Sequence, residues 1–261
     1  MKKVSALLLS AVMLATVIFP VTTQAASYES KLNKLKVSNV KTYDVAVPKK
    51  GVKKTKKQIN ELLKKIKGKL PGKGNTVYTY TLSFSKEKKA KKDTYLYVYK
   101  TKSWSNYNAE KMTARRNEEV ALVEHYPSEN SGKAFVSLCI LKKKKDYYYN
   151  WIMGTKTGDL TVEKPKETNE TPAKKKNYKL YKDQKVAGQT CMVYSYDIYL
   201  DDGKYTDYLY ISRKTGVTVK SVFVGKTTLY TSITFVNQKM KKPASFYQPP
   251  KDVKFTKYVV E

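Results

Sequence analysis

The side chains that most often carry chemistry are scarce in this chain. It has a single histidine, His125, in Val123-Glu124-His125-Tyr126-Pro127, which reads as the end of a strand. One imidazole completes neither a metal site nor a nucleophile-base pair by itself. The acids are few, and those that sit close together are adjacent in sequence: Asp201 with Asp202, and Glu118 with Glu119. Adjacent carboxylates diverge from the backbone, whereas paired acid-base carboxylates must face each other across a scissile bond. No Gly-x-Ser-x-Gly elbow, phosphate-gripping glycine loop or His-Glu-x-x-His pair occurs. No catalytic residue, no metal and no cofactor is therefore expected, and the chain reads as a binding protein rather than an enzyme.

Two cysteines remain. Cys139 lies in Phe135-Val136-Ser137-Leu138-Cys139-Ile140-Leu141 and Cys191 in Gln189-Thr190-Cys191-Met192-Val193-Tyr194. Both segments are strand-like and apolar, and neither has metal or redox spacing. Outside the cell they either form a disulfide, closing a loop of about 50 residues for ~4 kcal/mol, or stay as two buried thiols.

Tyrosine and lysine dominate instead. The 23 tyrosines fall largely on alternating positions, building faces whose rings bury while their hydroxyls meet water or a polar ligand. Tyr78, Tyr80 and Phe84, then Tyr95, Tyr97 and Tyr99, are the candidate ligand-contacting aromatics. The competing reading is a packed sheet in which the rings stack across strands. The formal charge of +30 implies a polyanionic neighbourhood, either an anionic membrane surface or a wall polymer. Arg115, Arg116 and Arg213 are the only arginines. Base-edge reading and bidentate phosphate clamps favour arginine, so nucleic acid is not an expected partner.

These residues need elements to position them. Ile59, Leu62, Leu63, Ile66 and Leu70 recur at helical spacing, with Thr55 and Gln58 at capping-box spacing and Gly68, Pro71 and Gly72 as the stop. The other face of this helix is nearly all lysine, suiting either a membrane surface or a sheet-packed helix with a solvated side. After it the period changes to two. Tyr78 to Phe84 places aromatics on one side and small hydroxyl residues on the other. Further strands read at Tyr95 to Tyr99, Ala134 to Leu141, Tyr147 to Met153, Tyr194 to Leu200, Tyr208 to Ile211, Gly216 to Val224 and Thr228 to Val236. Asp201-Asp202-Gly203-Lys204 joins two of them as a hairpin. Residues 108–123 fit either a helix or a strand. The stretch 161–176 is apolar-poor with two prolines and reads as a mobile excursion. Asn169-Glu170-Thr171 within it matches a glycosylation sequon, taken as chance beside a bacterial-looking export signal.

The beginning of the chain reads as an export signal: Met1-Lys2-Lys3, an apolar or small run from Val4 to Phe19, and small residues at Thr23 and Ala25. Cleavage is expected after Ala25, an uncleaved anchor being the alternative, since a stable span wants roughly 20 apolar residues. Removing Lys2 and Lys3 with residues 1–25 lowers the charge from +30 to +28. The expected organisation is a signal peptide (1–25), an extended arm (26–53) and one domain (54–261), secreted or held at the cell envelope, with no transmembrane span after cleavage.

The last third runs Ala187-Gly188-Gln189-Thr190-Cys191-Met192-Val193-Tyr194, a hairpin, Tyr208-Leu209-Tyr210-Ile211-Ser212-Arg213-Lys214-Thr215-Gly216-Val217-Thr218-Val219-Lys220, and then Phe246-Tyr247-Gln248-Pro249-Pro250-Lys251-Asp252-Val253-Lys254. This order resembles the carboxy-terminal part of the LolA-like and RseB-like envelope proteins. The resemblance implies an α+β, mostly β fold: a curved antiparallel sheet, an incomplete barrel, packed on one or a few helices. It also implies an apolar or lipid-modified ligand on the concave face, without assigning any residue to it. The expected function is thus an exported, non-enzymatic envelope protein cupping a lipid or lipid-modified protein. The alternative is a cationic surface or sensor protein binding another protein or an anionic wall polymer.

Overall fold

The computed structural model describes Lys34, Lys36 and residues 40–44, 46–66, 75–91, 94–108, 111–124, 132–165, 174–200 and 203–260. The expected signal peptide and the position of His125 fall outside them. Most of the described chain is one 13-stranded sheet in the order β1-β8-β9-β10-β11-β12-β2-β3-β4-β5-β6-β7-β13. Two meanders build it. The first is β2 (Asn75–Glu87), β3 (Tyr97–Asn108), β4 (Lys111–Val123), β5 (Ala134–Leu141), β6 (Asp146–Ile152) and β7 (Thr157–Glu163). The second is β8 (Lys175–Val186), β9 (Gln189–Leu200), β10 (Gly203–Ser212), β11 (Thr218–Val224) and β12 (Thr228–Lys239). β12 pairs antiparallel with β2 and joins the two. The short β1 (Val52–Lys53) borders β8, and β13 (Lys254–Val260) lies parallel to β7 at the far edge. The fold is α+β and mostly β, and the sheet is not closed into a barrel.

Chain length shows that this sheet is curled. β7 and β8 are ten strand steps apart in the sheet order, about 48 Å if the sheet were flat. Only twelve residue steps lead from Glu163 to Lys175, a reach of roughly 40 Å at full extension. The accumulated twist of neighbouring strands supplies the curvature.

The inner face is apolar. Tyr78, Tyr80, Leu82 and Phe84 of β2 are all buried on it, together with Val98, Leu138 and Ile233 from strands on either side. The outer face of the same strands carries the small hydroxyls expected there: Thr81 meets Thr234 and Ser83 meets Ser232, each at 3.4 Å.

The helix α1 (Lys56–Lys65) begins as expected. The Thr55 side chain accepts from the Gln58 backbone, and the Gln58 side chain accepts from the Thr55 backbone. It packs on the outer face of β8–β10, where Ile59 joins Met192, Tyr194 and Ile211. Lys56, Lys57, Lys64 and Lys65 are exposed. Of the two readings of this helix, the sheet-packed one holds. Ile66 ends it, and Leu70 and the expected stop residues lie outside the described residues.

Of the two readings of residues 108–123, the strand holds over 111–123, which is β4, paired along its length with β3. Their alternation is hidden because Arg116 and Glu118, not apolar residues, point inward beside Ala114. The stretch read as an excursion is narrower: Thr161–Glu163 belong to β7, Lys175 and Lys176 to β8, and residues 166–173 lie outside the described ones. The arm before β1 is not simply extended, since Tyr43 and Asp44 close a turn onto the Val40 carbonyl. No helix among the described residues is long and apolar enough to cross a membrane.

Candidate ligand-binding face

Parity decides which aromatics face inward. Strand residues of even number along β2 bury their rings, so Tyr78, Tyr80 and Phe84 are core, and Tyr95 packs edge-on against Phe84 at 5.5 Å. Tyr97 and Tyr99 take the opposite face. They stack on each other at 5.9 Å, and burial with the nearby Glu119 carboxylate pushes the Tyr99 hydroxyl up to about 12. The six candidates are thus divided between a packed inner wall and a partly exposed outer patch.

Two irregular segments lie over the inner wall where a second sheet would lie in a sandwich. The first is the strap formed by residues 40–44 and 46–51. Val40 is fully buried in the β2–β6 cluster, and Tyr43 meets Phe235 edge-on at 5.0 Å. Val47 joins the cluster of Tyr181, Val193 and Tyr210. Gly51 crosses so close to Tyr181 that an added Cβ would meet its ring carbon at 2.5 Å; only glycine lets the backbone pass there. The second segment is the C-terminal stretch around the 3-10 turn Ala244–Tyr247, which holds the Phe246 to Pro249 part of the terminal pattern. Phe246 packs edge-on against Trp104 at 5.2 Å, Tyr247 donates to Thr76 at 3.2 Å, and beyond the segment Phe255 of β13 reaches Tyr149 at 5.2 Å.

The inner wall is not wholly apolar. Arg116 forms an ion pair with Glu118 at 3.0 Å, and its guanidinium lies over the Phe246 ring at 4.7 Å. Cations of this kind on ring faces are attracted by the ring quadrupole. Deeper in, Asp44 of the strap bonds Lys86. Lys220 of β11 is 2% exposed, its ammonium 5.2 Å from the Tyr210 ring centre. Burial lowers the Lys220 ammonium to about 8, Asp44 pulling it upward and Lys86 pushing it down. Trp104 Nε1 and Tyr210 Oη are among the buried polar atoms with no hydrogen-bond partner. Buried donors are almost always paired, so each marks a position where a missing acceptor would be favourable.

Both cysteines are free. Cys139 is on β5 and Cys191 on β9, with six strands between them in the sheet. Burial raises each thiol to about 11, which leaves little thiolate for chemistry. Among the described residues no group of three metal-ligating side chains converges. A shallow depression of about 460 Å³ opens at the β9–β10 and β11–β12 turns, lined by Lys88, Lys204, Tyr205 and Lys226. It lies at the rim of the sheet rather than on the inner wall.

Sequence reasoning missed Asp44, Lys86, Trp104, Tyr210 and Lys220 as site residues. One signal for Lys220 was present: in Lys220-Ser221-Val222-Phe223-Val224 it occupies the same parity as the inward valines.

No family model matches the chain, and no curated protein does. Solved structures do. One is a DUF1329 family protein from Desulfovibrio piger, 8% identical, covering 73% of this chain and 95% of that one, with a TM-score of 0.30. A second is the lipoprotein LppX of Mycobacterium tuberculosis, at 9% identity, 60% and 84% coverage and 0.35. A third, from Vibrio parahaemolyticus, is described as an outer membrane lipoprotein-sorting protein domain, at 12%, 72% and 94%, and 0.27. The overlaps are loose.

Proposed function

We propose that this chain is an exported, non-enzymatic binding protein of the cell envelope, whose curled sheet cups an amphiphilic or apolar ligand such as a lipid or a lipid-modified protein. One observation carries this reading. The inner wall is a broad aromatic and aliphatic surface covered by irregular straps, and it holds buried donors at Trp104 and Tyr210 that have no acceptor. Strap contacts made by Val40, Tyr43 and Val47 imitate those an acyl chain would make, so exchange of strap for ligand conserves apolar burial at roughly 25 cal/mol per Å² on either side. The protein recovered from expression in a bacterial host is expected to carry lipid detectable by mass spectrometry after solvent extraction. Once stripped, its tryptophan fluorescence should fall on adding a brominated fatty acid, because Trp104 lies on the inner wall. Lipid-free protein whose fluorescence ignores brominated fatty acids would overturn the proposal.

A second reading has its own observation. Lys142 to Lys145 form an exposed lysine run at the β5–β6 turn, and α1 carries a further set of exposed lysines. This surface suits an anionic wall polymer or membrane, and binding there should weaken steeply with salt as the charges are screened.

A further inference from the structure

The strap is informative about what it covers. Asp44 is one of few acids in a chain of 52 basic residues, yet it is carried onto the inner wall and bonded to Lys86. The same wall holds Lys220, almost completely buried, over the ring of Tyr210. The Tyr210 hydroxyl is buried with no hydrogen-bond partner. Burying an ammonium is costly unless an anion or a set of acceptors meets it; the Asp44 carboxylate supports the Lys220 charge, and a lysine in an otherwise aliphatic strand face has no packing role that methionine or leucine would not fill better. Val193, Val222 and Leu229 pack in one apolar cluster with Tyr210.

We propose that Lys86, Lys220 and the Tyr210 hydroxyl form a seat for an anionic oxygen head group, and that Asp44 occupies this seat until an anionic amphiphile displaces the strap. The inference rests on the reading of the inner wall as a ligand face and sharpens it to a ligand class: a single acyl or alkyl chain, or several, carrying a carboxylate or phosphate. One oxygen of the head takes the place of the Asp44 carboxylate on Lys86. A second accepts from Tyr210, with Lys220 compensating the charge. The chain then follows the path of Val40, Tyr43 and Val47. Charge-assisted hydrogen bonds of this kind are the strong ones, so the head should contribute at least about tenfold in affinity.

The test uses the whole mature protein and three probes with one chain length: palmitate, hexadecyl phosphate and hexadecanol. Both anions are expected to bind at least about tenfold more tightly than the alcohol. A preference between the two distinguishes a fatty acid from a phospholipid head as the source. Lys86→Met and Lys220→Met should each collapse that discrimination. Lys86 is the more exposed of the two and guards against a Lys220 variant that fails to fold, which thermal melting would reveal. Asp44→Asn should tighten all three probes together, because it loosens the strap that each must displace. Equal binding of the alcohol and the anions, discrimination that survives both lysine variants, or an Asp44→Asn protein with unchanged affinities would each overturn the inference while leaving an apolar carrier intact. Failure of all three probes to bind would overturn both.

Discussion

Asp207 is buried on the outer face of β10, 5% exposed, accepting a hydrogen bond from the Tyr196 hydroxyl at 2.9 Å. Burial lifts its carboxyl to about 6, against smaller downward pulls from Tyr196 and Lys175. A folded-state value above the unfolded one favours the protonated native form. Its contribution to stability is therefore complete below about pH 4 and is lost as the pH rises through 6. The wild type should lose up to roughly 3 kcal/mol of unfolding free energy from this group between pH 4 and 7. Asp207→Asn should show a shallower fall over the same window in urea titrations. An unchanged slope would mean that the carboxyl stays solvated. Site residues of this kind were the least legible part of the sequence. Asp44, Lys86 and Lys220 look like ordinary surface charges until pairing across β11, β12 and β2 puts the two lysines on one wall and the strap brings Asp44 to Lys86. Tyr78 and Tyr99 likewise differ only in parity, and parity has meaning only once the inner face is known.

Elements were more legible where one face is apolar and the other polar. β2, β5 and the capped start of α1 follow from period and capping alone, because burial acts on the same residues that propensity favours. β4 stayed ambiguous between helix and strand because an ion pair replaces its inward apolar positions. β13 escaped because its exposed Tyr258, Val259 and Val260 show no alternation. Two substitutions test the local geometry. The β8–β9 hairpin turns on Ala187 and Gly188, with φ of 46° and 78°, a left-handed conformation that costs an L-residue about 1 kcal/mol. Ala187→Asn or Ala187→Gly is expected to stabilise the fold by up to about 1 kcal/mol, read as a higher urea midpoint. Gly158 lies in β7 between β6 and β13, and a Cβ there would meet the Asn150 backbone oxygen at 2.6 Å and the Phe255 ring at 2.8 Å. Backbone cannot yield as a flexible side chain does, so Gly158→Ala should cost about 1 to 3 kcal/mol. A neutral result would show that β6 and β7 are free to part.

At the scale of the molecule, the inner core crosses the join between the meanders, since Ile233 of β12 packs in one cluster with Leu82 of β2 and Leu138 of β5. A single cooperative domain is therefore proposed. Trp104 and Trp151 report on the first meander, and protection of Cys191 from a thiol reagent reports on the second. Their unfolding transitions in urea should coincide; two separated midpoints would divide the chain into two units. The curled sheet was foreseeable from the alternating strands and the terminal pattern. The order of its strands was not, because local periodicity carries no information on which distant strand pairs with which.

That strand order also sets the sequence of events in folding. Thr81 of β2 meets Thr234 of β12 across 153 residues, so the middle of the sheet is made by its most distant partners. Pairing at such separation is slow, because the closure entropy is lost before the contacts form. Until β12 is available, β2 presents an open edge with Tyr78, Tyr80 and Phe84 uncovered. A chain emerging amino-terminus first must hold that edge apart from other chains until nearly its whole length has appeared.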